Sequence, residues 1–135
     1  DFVSSTRILN VGAPQGCVLS PLLYSLFTYD CATRHVCNTM VKFADDTTLE
    51  GLITNDDETS YRDEVLKLVS WCEENNLELN VSKTKEMILD FRKTKPDTIP
   101  LLIKDKQVEI VSEFKFLGLV ISNDLKWEKK HCQNR

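Results

Sequence analysis

Two β-favouring runs, at residues 39–43 and 47–53, are separated only by the tripeptide Ala44-Asp45-Asp46. So short a break between two extended runs predicts a β-hairpin with two adjacent carboxylates at its tip. Adjacent residues of a regular strand point to opposite faces, so Asp45 and Asp46 converge only if the backbone turns there. The aspartate pair restricts the fold, because a turn at the hairpin tip brings two negative carboxylates together. Their repulsion must then be tolerated in solvent or offset by a positive partner.

Two explanations fit the aspartate pair when it is taken alone. Adjacent aspartates are common in solvated turns, where their side chains bond to the nearby backbone. A hard divalent cation also offsets the repulsion, and Mg²⁺ typically uses one or two protein carboxylates together with substrate phosphates. A metal site for phosphoryl transfer can therefore be built on a hairpin tip. The local pattern marks no third carboxylate, however.

Upstream of the hairpin the sequence predicts a strand, a loop and a helix. The strand spans Thr6 to Val11, and the loop spans Gly12 to Gly16, where glycine and proline interrupt regular structure. Ser20 as the N-cap and Pro21 at the first helical position predict a helix start. Leucines at helical spacing then extend this helix to about Arg34.

A second helix is predicted between residues 55 and 76. Asp56 or Asp57 is the expected cap, with acidic residues in the first turn, and Asn75-Asn76 favours a left-handed stop. The apolar residues at helical spacing form one stripe, consisting of Tyr61, Val65, Leu68 and Cys72.

The remaining sequence predicts β structure. We expect a strand at Met87–Phe91, a hairpin that turns at Asp105-Lys106, and a strand at Phe114–Ser122 in which Gly118 indicates a bulge or a close backbone approach. The order of elements is strand, helix, hairpin, helix and then several strands. This order predicts an α+β fold in which two main helices pack on one face of a mainly antiparallel sheet. Alternation puts Val41 and Phe43 on one face of the first hairpin.

Charge and hydropathy narrow the classes of function. The 135 residues carry a net charge of −4, which by itself argues against nucleic-acid binding. The charge is uneven, however, because the acidic excess lies in residues 1–77 and a basic excess lies in residues 78–135. No apolar run is long enough to cross a bilayer, and the first residues do not resemble a signal peptide. We therefore expect an intracellular protein, in the cytoplasm or nucleus, without membrane association.

The five cysteines form an odd set without a CxxC pair, which is typical of reduced intracellular thiols. Cys31, His35 and Cys37 lie close enough in sequence to suggest zinc. A structural zinc site requires a fourth ligand and usually tighter paired spacings. An ordinary helix end with buried or idle thiols is therefore the preferred explanation.

Two other stretches could carry chemistry. In GAPQG, Gln15 lies between a proline and a glycine just before a helix, where it could donate to a phosphate, sugar or base. The simpler alternative is an ordinary strand-to-helix connection. Lys83 follows the second predicted helix and could act as a general acid or phosphate contact, although an exposed lysine usually has no such role.

In combination and in this order, the motifs resemble those of reverse transcriptases from non-long-terminal-repeat retrotransposons (long interspersed elements). GAPQGCVLSPLLYSLFTYD resembles the motif with a PQG turn and an LSP helix start, and FADD resembles the following catalytic motif, more often written with tyrosine first. LVSWCEENNLELNVSKTKEMILDF resembles the next palm segment, and FKFLGLVISNDLKW resembles the primer-grip hairpin region. The resemblance runs from about Arg7 to Trp127.

This resemblance implies a role for each matching residue. Asp45 and Asp46 would be catalytic ligands of Mg²⁺, or of Mn²⁺ in its place, and Lys83 would protonate the leaving pyrophosphate. The other implied contacts are those with the nucleotide and template (Pro14, Gln15 and Gly16), with the primer end (Phe43) and with the primer strand (Leu117 and Gly118).

The resemblance also implies a partial palm domain of an RNA-directed DNA polymerase, with an RNA template, a DNA primer and deoxynucleoside triphosphates as partners. We expect residues 1–135 to lack the fingers, the first palm motif with its metal-binding aspartate, and the thumb. The isolated chain is then expected to be inactive. The alternatives are a non-catalytic remnant of a retroelement copy that binds nucleic acid weakly, or another palm polymerase such as a group II intron maturase or a viral RNA polymerase.

Overall fold

A computed structural model describes residues 16–94 and 97–126 of the chain. The predicted strand at Thr6–Val11, and all of the predicted loop except Gly16, lie outside these residues. The helices are α1 (Ser20–Phe27) and α2 (Thr59–Glu74). The strands are β1 (Asn38–Phe43), β2 (Asp46–Gly51), β3 (Lys85–Glu86), β4 (Leu102–Ile103), β5 (Lys106–Gln107), β6 (Glu109–Ile110), β7 (Glu113–Phe116) and β8 (Leu119–Ser122).

Within the described ranges, the strands form four separate pairs. The pairs β1–β2, β4–β5 and β7–β8 are antiparallel, whereas β3–β6 is parallel. The α+β class is therefore confirmed. The expected single sheet is replaced here by small pairs, because four of the eight strands are only two residues long and turns separate them.

Helix α1 is shorter than its sequence predicted. It begins at Ser20 with a proline in its first turn, as expected, but Leu19 rather than Ser20 is the N-cap residue. It ends at Phe27, not near Arg34. Thr28 is the C-cap residue, and its hydroxyl donates to the carbonyl oxygen of Tyr24. The helical pattern ends there, since the next N–H, of Tyr29, donates to Leu26, three residues back rather than four.

The apolar stripe of helix α2 is confirmed, whereas its predicted cap and acidic first turn are wrong, since Glu58 is the N-cap residue. Val65 and Cys72 of the apolar stripe are buried. Its first turn carries no acidic residue, because the acidic residues precede Thr59, and Asp57 accepts a hydrogen bond from the Thr59 N–H at 3.0 Å.

The C-terminal stop of α2 is confirmed. Asn76 has a φ of +54°, and its N–H donates to Glu73 while the Leu77 N–H donates to Cys72. This pair of bonds is a Schellman motif, which satisfies the last carbonyl groups of a helix.

Downstream, turns replace several of the predicted strands. No strand forms at Met87–Phe91, and only Lys85–Glu86 pairs, with β6. The hairpin around residue 105 is present, but it turns at Lys104-Asp105, where both residues have positive φ. The predicted continuous strand at Phe114–Ser122 is wrong.

Instead, β7 and β8 form a hairpin that turns at Leu117-Gly118, with φ values of +47° and +89°. Two consecutive residues with positive φ favour a tight two-residue hairpin turn. The close approach predicted at Gly118 is also wrong, since a Cβ atom added there would meet no heavy atom within 4 Å.

The buried core lies between α2 and the segment that carries β4 and β5. It also receives Tyr61 of α2, whose ring packs so closely on Gly51 that a Cβ atom added to this glycine would lie 2.7 Å from Tyr61 Cδ2. This close contact fixes the end of β2 against α2. The buried residues of the core are Val65, Leu101, Ile103 and Val108, with Leu49, Tyr61, Val69, Leu79 and Val81 packed around them.

A buried carboxylate on α2 fixes the segment that leads into β1. Glu64 is 1% exposed and accepts hydrogen bonds from the backbone N–H groups of Arg34 (2.9 Å) and His35 (3.1 Å), and from Lys67 Nζ (3.2 Å). Burial opposes its ionisation, but the two backbone donors and the Lys67 ammonium outweigh burial and lower the pKa of Glu64 to about 2. The ionised form is therefore part of the folded state.

Glu86 on β3 is the opposite case. Its Oε1 accepts a hydrogen bond from the Tyr61 hydroxyl at 3.2 Å, whereas its buried Oε2 has no partner among the described residues. Burial raises the pKa of Glu86, and the hydrogen bond from Tyr61 only partly offsets this. Ionised Glu86 therefore opposes folding.

We predict that one replacement, glutamate to glutamine, has different effects at these two positions. Glu64→Gln should lower the free energy of unfolding at pH 7 by about 3 kcal/mol, because the folded state favours the charged carboxylate. The Glu64 contribution is fully present above pH 4.5 and is lost as the pH falls towards 2. Glu86→Gln should leave stability at pH 7 equal or higher, because ionisation of Glu86 destabilises the fold as the pH rises above 4.5.

Urea unfolding of the three proteins between pH 3 and pH 8 measures these effects. Each variant serves as the matched control for the other, since both lose one buried carboxylate. Equal losses of stability at pH 7 would show that the two environments do not differ as described.

Candidate functional site

The adjacent aspartates lie at the tip of the β1–β2 hairpin, as predicted. Phe43 pairs with Asp46 across the hairpin, so Ala44 and Asp45 alone form the turn. Ala44 has a φ of +52°. A residue other than glycine is strained in this region, at a cost of about 1–3 kcal/mol, and such strain is frequent at functional sites.

The register gives the hairpin two different faces. Asn38, Met40 and Lys42 alternate on one face, and this face meets the helices. Phe43 and Asp46 are directly opposite each other and therefore share the other face, which also carries Val41. This outward face is open, since Val41 is 43% and Phe43 58% exposed. The prediction that Val41 and Phe43 share a face is confirmed.

Both carboxylates at the tip are exposed. Within residues 16–94 and 97–126, neither side chain makes a hydrogen bond or an ion pair that would balance the negative charge. This part of the chain also contains no group of three or more histidine, cysteine, aspartate or glutamate side chains placed to hold a metal ion. The tip therefore presents two oxygen-donor side chains to solvent.

Polar contacts attach the inward face of the hairpin to both helices. At the base, Asn38 Nδ2 donates to the Ser60 carbonyl oxygen of α2 at 2.9 Å. Near the tip, Lys42 Nζ donates to the carbonyl oxygens of Thr28 (2.5 Å) and Cys31 (2.9 Å), at and just beyond the C-terminal end of α1. The tip is thus held next to α1.

Tyr24 of α1 lies near the aspartates. Burial raises the pKa of its phenol, and the negative charge of Asp45 raises it further. The effect of Asp45 on Tyr24 is consistent with the hydrogen bond that holds Lys42 at the end of α1.

The other sequence-predicted site residues are exposed. Lys83 lies in the turn after α2, where its backbone N–H donates to the carbonyl oxygen of Asn80 at 3.1 Å. Leu117 and Gly118 form the tip of the β7–β8 hairpin. Gly16 has a φ of +78°, whereas Pro14 and Gln15 lie outside the described residues. In the part of the chain that the structure covers, no hydrogen bond joins these side chains to the aspartates.

The cysteine cluster considered for zinc does not assemble among the described residues. Cys31 is buried, with its thiol 3.8 Å from the Met40 sulfur, whereas Cys37 is exposed. Burial raises the pKa of the Cys31 thiol, which keeps it protonated and unreactive.

Sequence reasoning missed Lys42 and Glu64. Glu64 lies three residues after Tyr61 and four before Leu68, so its helical spacing places it beside the apolar stripe. An acidic residue at such a position is a signal for a buried, hydrogen-bonded carboxylate. Lys42 had no comparable signal, because its acceptors are backbone carbonyl groups of a distant helix end.

Neither helix that the structure describes combines the length and apolar character needed to traverse a lipid bilayer.

Comparisons with known proteins show the family of the chain. The family model described as reverse transcriptase (RNA-dependent DNA polymerase) matches residues 2–121. The chain therefore belongs to the reverse transcriptase family.

Curated relatives specify the kind of reverse transcriptase. The chain is 29% identical over 131 residues to a probable RNA-directed DNA polymerase from transposon BS of Drosophila melanogaster, with 90% of the chain and 14% of the relative covered. It is 26% identical over 133 residues to a probable RNA-directed DNA polymerase from transposon X-element of the same organism, with 94% and 14% covered. The resemblance to retrotransposon reverse transcriptases is confirmed, and the chain spans about a seventh of these relatives. No solved structure matches it significantly.

Proposed function

We propose that this chain is part of the palm of an RNA-directed DNA polymerase and that Asp45 and Asp46 bind the divalent metal ions of nucleotidyl transfer. The observation that carries the proposal is the hairpin tip, where two exposed carboxylates have no partner among the described residues. Family membership supports a catalytic role for this pair over that of a solvated turn, because the pair lies in the FADD motif.

The donor set at the tip suits Mg²⁺, or Mn²⁺ in its place. Both ions prefer oxygen ligands, and Mg²⁺ commonly takes only one or two protein carboxylates and completes its shell with water and phosphate oxygens. When bound, the ions would stabilise charge on the attacking and leaving oxygen atoms. Asp45, in the turn, and Asp46, at the start of β2, would hold them at the edge of the outward face.

The residues around the tip suit the binding of a primer and a nucleotide. Phe43 is exposed and faces outward beside Asp46, so its ring is available to pack against the terminal base or sugar of a primer. Gly16, with Pro14 and Gln15 before it, would contact the incoming nucleotide and the template. The exposed turn of the β7–β8 hairpin, at Leu117 and Gly118, would contact the primer strand.

The proposed reaction joins a deoxynucleotide to the primer. The primer 3′ hydroxyl loses its proton and its oxygen attacks the α-phosphate of a deoxynucleoside triphosphate, while the bond to the pyrophosphate leaving group breaks. Lys83 would donate a proton to the pyrophosphate, since its exposed ammonium group makes no ion pair within the described residues. An RNA template would select the nucleotide by base pairing.

A second possibility is a non-catalytic remnant that binds nucleic acid weakly. It is favoured by the absence of a third metal-ligating side chain near the tip within residues 16–94 and 97–126. For the same reason we propose that the isolated 135-residue chain has no polymerase activity of its own.

We predict that Mn²⁺ binds selectively at the hairpin tip of the isolated chain. Paramagnetic Mn²⁺ should broaden the backbone amide signals of residues 43–47 in nuclear magnetic resonance spectra before it affects other signals. The double variant Asp45→Asn/Asp46→Asn should abolish this effect, because it removes both anionic ligands.

Glu50→Gln is the matched control for this titration, because it removes another exposed carboxylate from the same hairpin. It should leave the broadening of residues 43–47 unchanged. Broadening that persists in the double aspartate variant, or that centres on Glu50, would refute the proposed metal site.

We also predict the effect of Asp45→Asn in a full-length polymerase that carries this segment. Primer extension on an RNA template should fall by roughly a thousandfold or more, since loss of a metal ligand removes several kcal/mol of transition-state stabilisation. Template binding and the unfolding temperature should change little, because the Asp45 side chain makes no hydrogen bond or ion pair within the described residues.

The isolated chain should show no Mg²⁺-dependent extension in the same assay. Extension by the isolated chain would contradict its proposed inactivity, and near-normal extension by the full-length Asp45→Asn variant would contradict the assignment of Asp45.

A further inference from the structure

The β1–β2 hairpin is attached to the rest of the fold at its base and at its middle, where Leu49 packs around the core. An isolated two-stranded hairpin is only marginally stable in water. The hydrogen bond from Asn38 and the contact between Gly51 and Tyr61 attach its base to α2. At about 3.3 Å per residue, Phe43 lies about 16 Å along the strand from Asn38. These attachments alone therefore leave the tip of the hairpin free to move.

Lys42 supplies the side-chain hydrogen bonds that tether the tip end. Its ammonium group donates to the carbonyl oxygens of Thr28 and Cys31, and these two residues are only 7% and 6% exposed. These carbonyl groups lie at and just beyond the C-terminal end of α1, where the helix dipole favours a cation. No other side chain of residues 42–47 makes a hydrogen bond or ion pair within the described part of the chain.

The tether acts close to the aspartates. Lys42 precedes Phe43 and is separated from Asp45 by two residues.

We propose that Lys42 is a positioning residue that holds the aspartate-bearing tip against the end of α1 and thereby preorganises the metal site. This inference rests on the proposed function of Asp45 and Asp46. Lys42 itself touches neither metal nor substrate, because it points to the inward face and its donors are used by backbone carbonyl groups.

Removal of Lys42 changes the affinity for Mn²⁺ in a direction that depends on the role of this lysine. A lysine that affected the site only through its positive charge would weaken cation binding, so its removal would tighten Mn²⁺ binding. A lysine that positions the carboxylates has the opposite effect, and its removal weakens binding. A lysine with neither role produces no change.

The test measures Mn²⁺ affinity of the 135-residue chain from the broadening of the amide signals of residues 43–47. We expect Lys42→Met to weaken Mn²⁺ binding about tenfold. A tenfold change corresponds to the free energy of one or two hydrogen bonds from a charged donor. Lys42→Arg should restore most of the affinity, because a guanidinium group can also donate to two carbonyl oxygens. Unchanged or tighter binding by Lys42→Met would overturn the proposal.

Lys115→Met is the matched control. Like Lys42, Lys115 is exposed, is the penultimate residue of the first strand of a hairpin and precedes a phenylalanine. Its side chain, however, makes no hydrogen bond or ion pair within the described residues. This variant loses the same charge without loss of a tether and should bind Mn²⁺ with unchanged affinity. A tenfold loss in Lys115→Met as well would also overturn the proposal.

A measurement without metal separates this proposal from that of the metal site. In ¹⁵N relaxation experiments, Lys42→Met should increase the mobility of residues 43–46 while residues 59–74 and the β7–β8 hairpin remain unchanged. If the wild-type chain does not bind Mn²⁺ at residues 43–47, the proposed function fails, and the relaxation data alone decide whether Lys42 tethers the tip. Unchanged mobility of residues 43–46 would overturn the tether itself.

Discussion

The buried carboxylate of Glu64 determines how the segment between the first helix and the first hairpin is held. It accepts hydrogen bonds from the backbone N–H groups of Arg34 and His35, which lie four and three residues before β1 begins. Lys67 joins the same network and also donates to the Ala32 carbonyl oxygen at 2.7 Å. Because the acceptor is an ionised, buried carboxylate, these directional hydrogen bonds are strong and fix the segment before β1 on α2.

The rest of the hairpin follows from this fixed start. Strand alternation sends Asn38, Met40 and Lys42 towards the helices, and it sends Val41 and Phe43 towards solvent. The cross-strand pair of Phe43 and Asp46 then places an aromatic ring beside a carboxylate on the open face. This arrangement leaves the outward face open for the primer and nucleotide of the proposed reaction.

Side-chain periodicity predicted the parts of this fold that depend on local spacing. The aspartate hairpin, the start of α1, and the stripe and stop of α2 all follow from patterns within about ten residues. The failures occur where ordinary residues adopt positive φ, as at Leu117, which turns an apparent single strand into a hairpin. The end of α1 and the roles of Glu64 and Lys42 depend on hydrogen bonds to backbone groups, many of them distant in sequence, and periodicity does not report these. The prediction of a metal site at the aspartates came only from their motif context, since a solvated turn has the same local sequence.

Metal-directed cleavage of the chain is the most direct test that this hairpin tip binds divalent ions. Fe²⁺ in place of Mg²⁺, with ascorbate and peroxide, generates hydroxyl radicals that cut the backbone close to the ion. We expect the main cleavage between residues 43 and 47, suppressed by an excess of Mg²⁺. Cleavage centred elsewhere, or cleavage at the tip that Mg²⁺ does not suppress, would show that Asp45 and Asp46 do not form a divalent metal site.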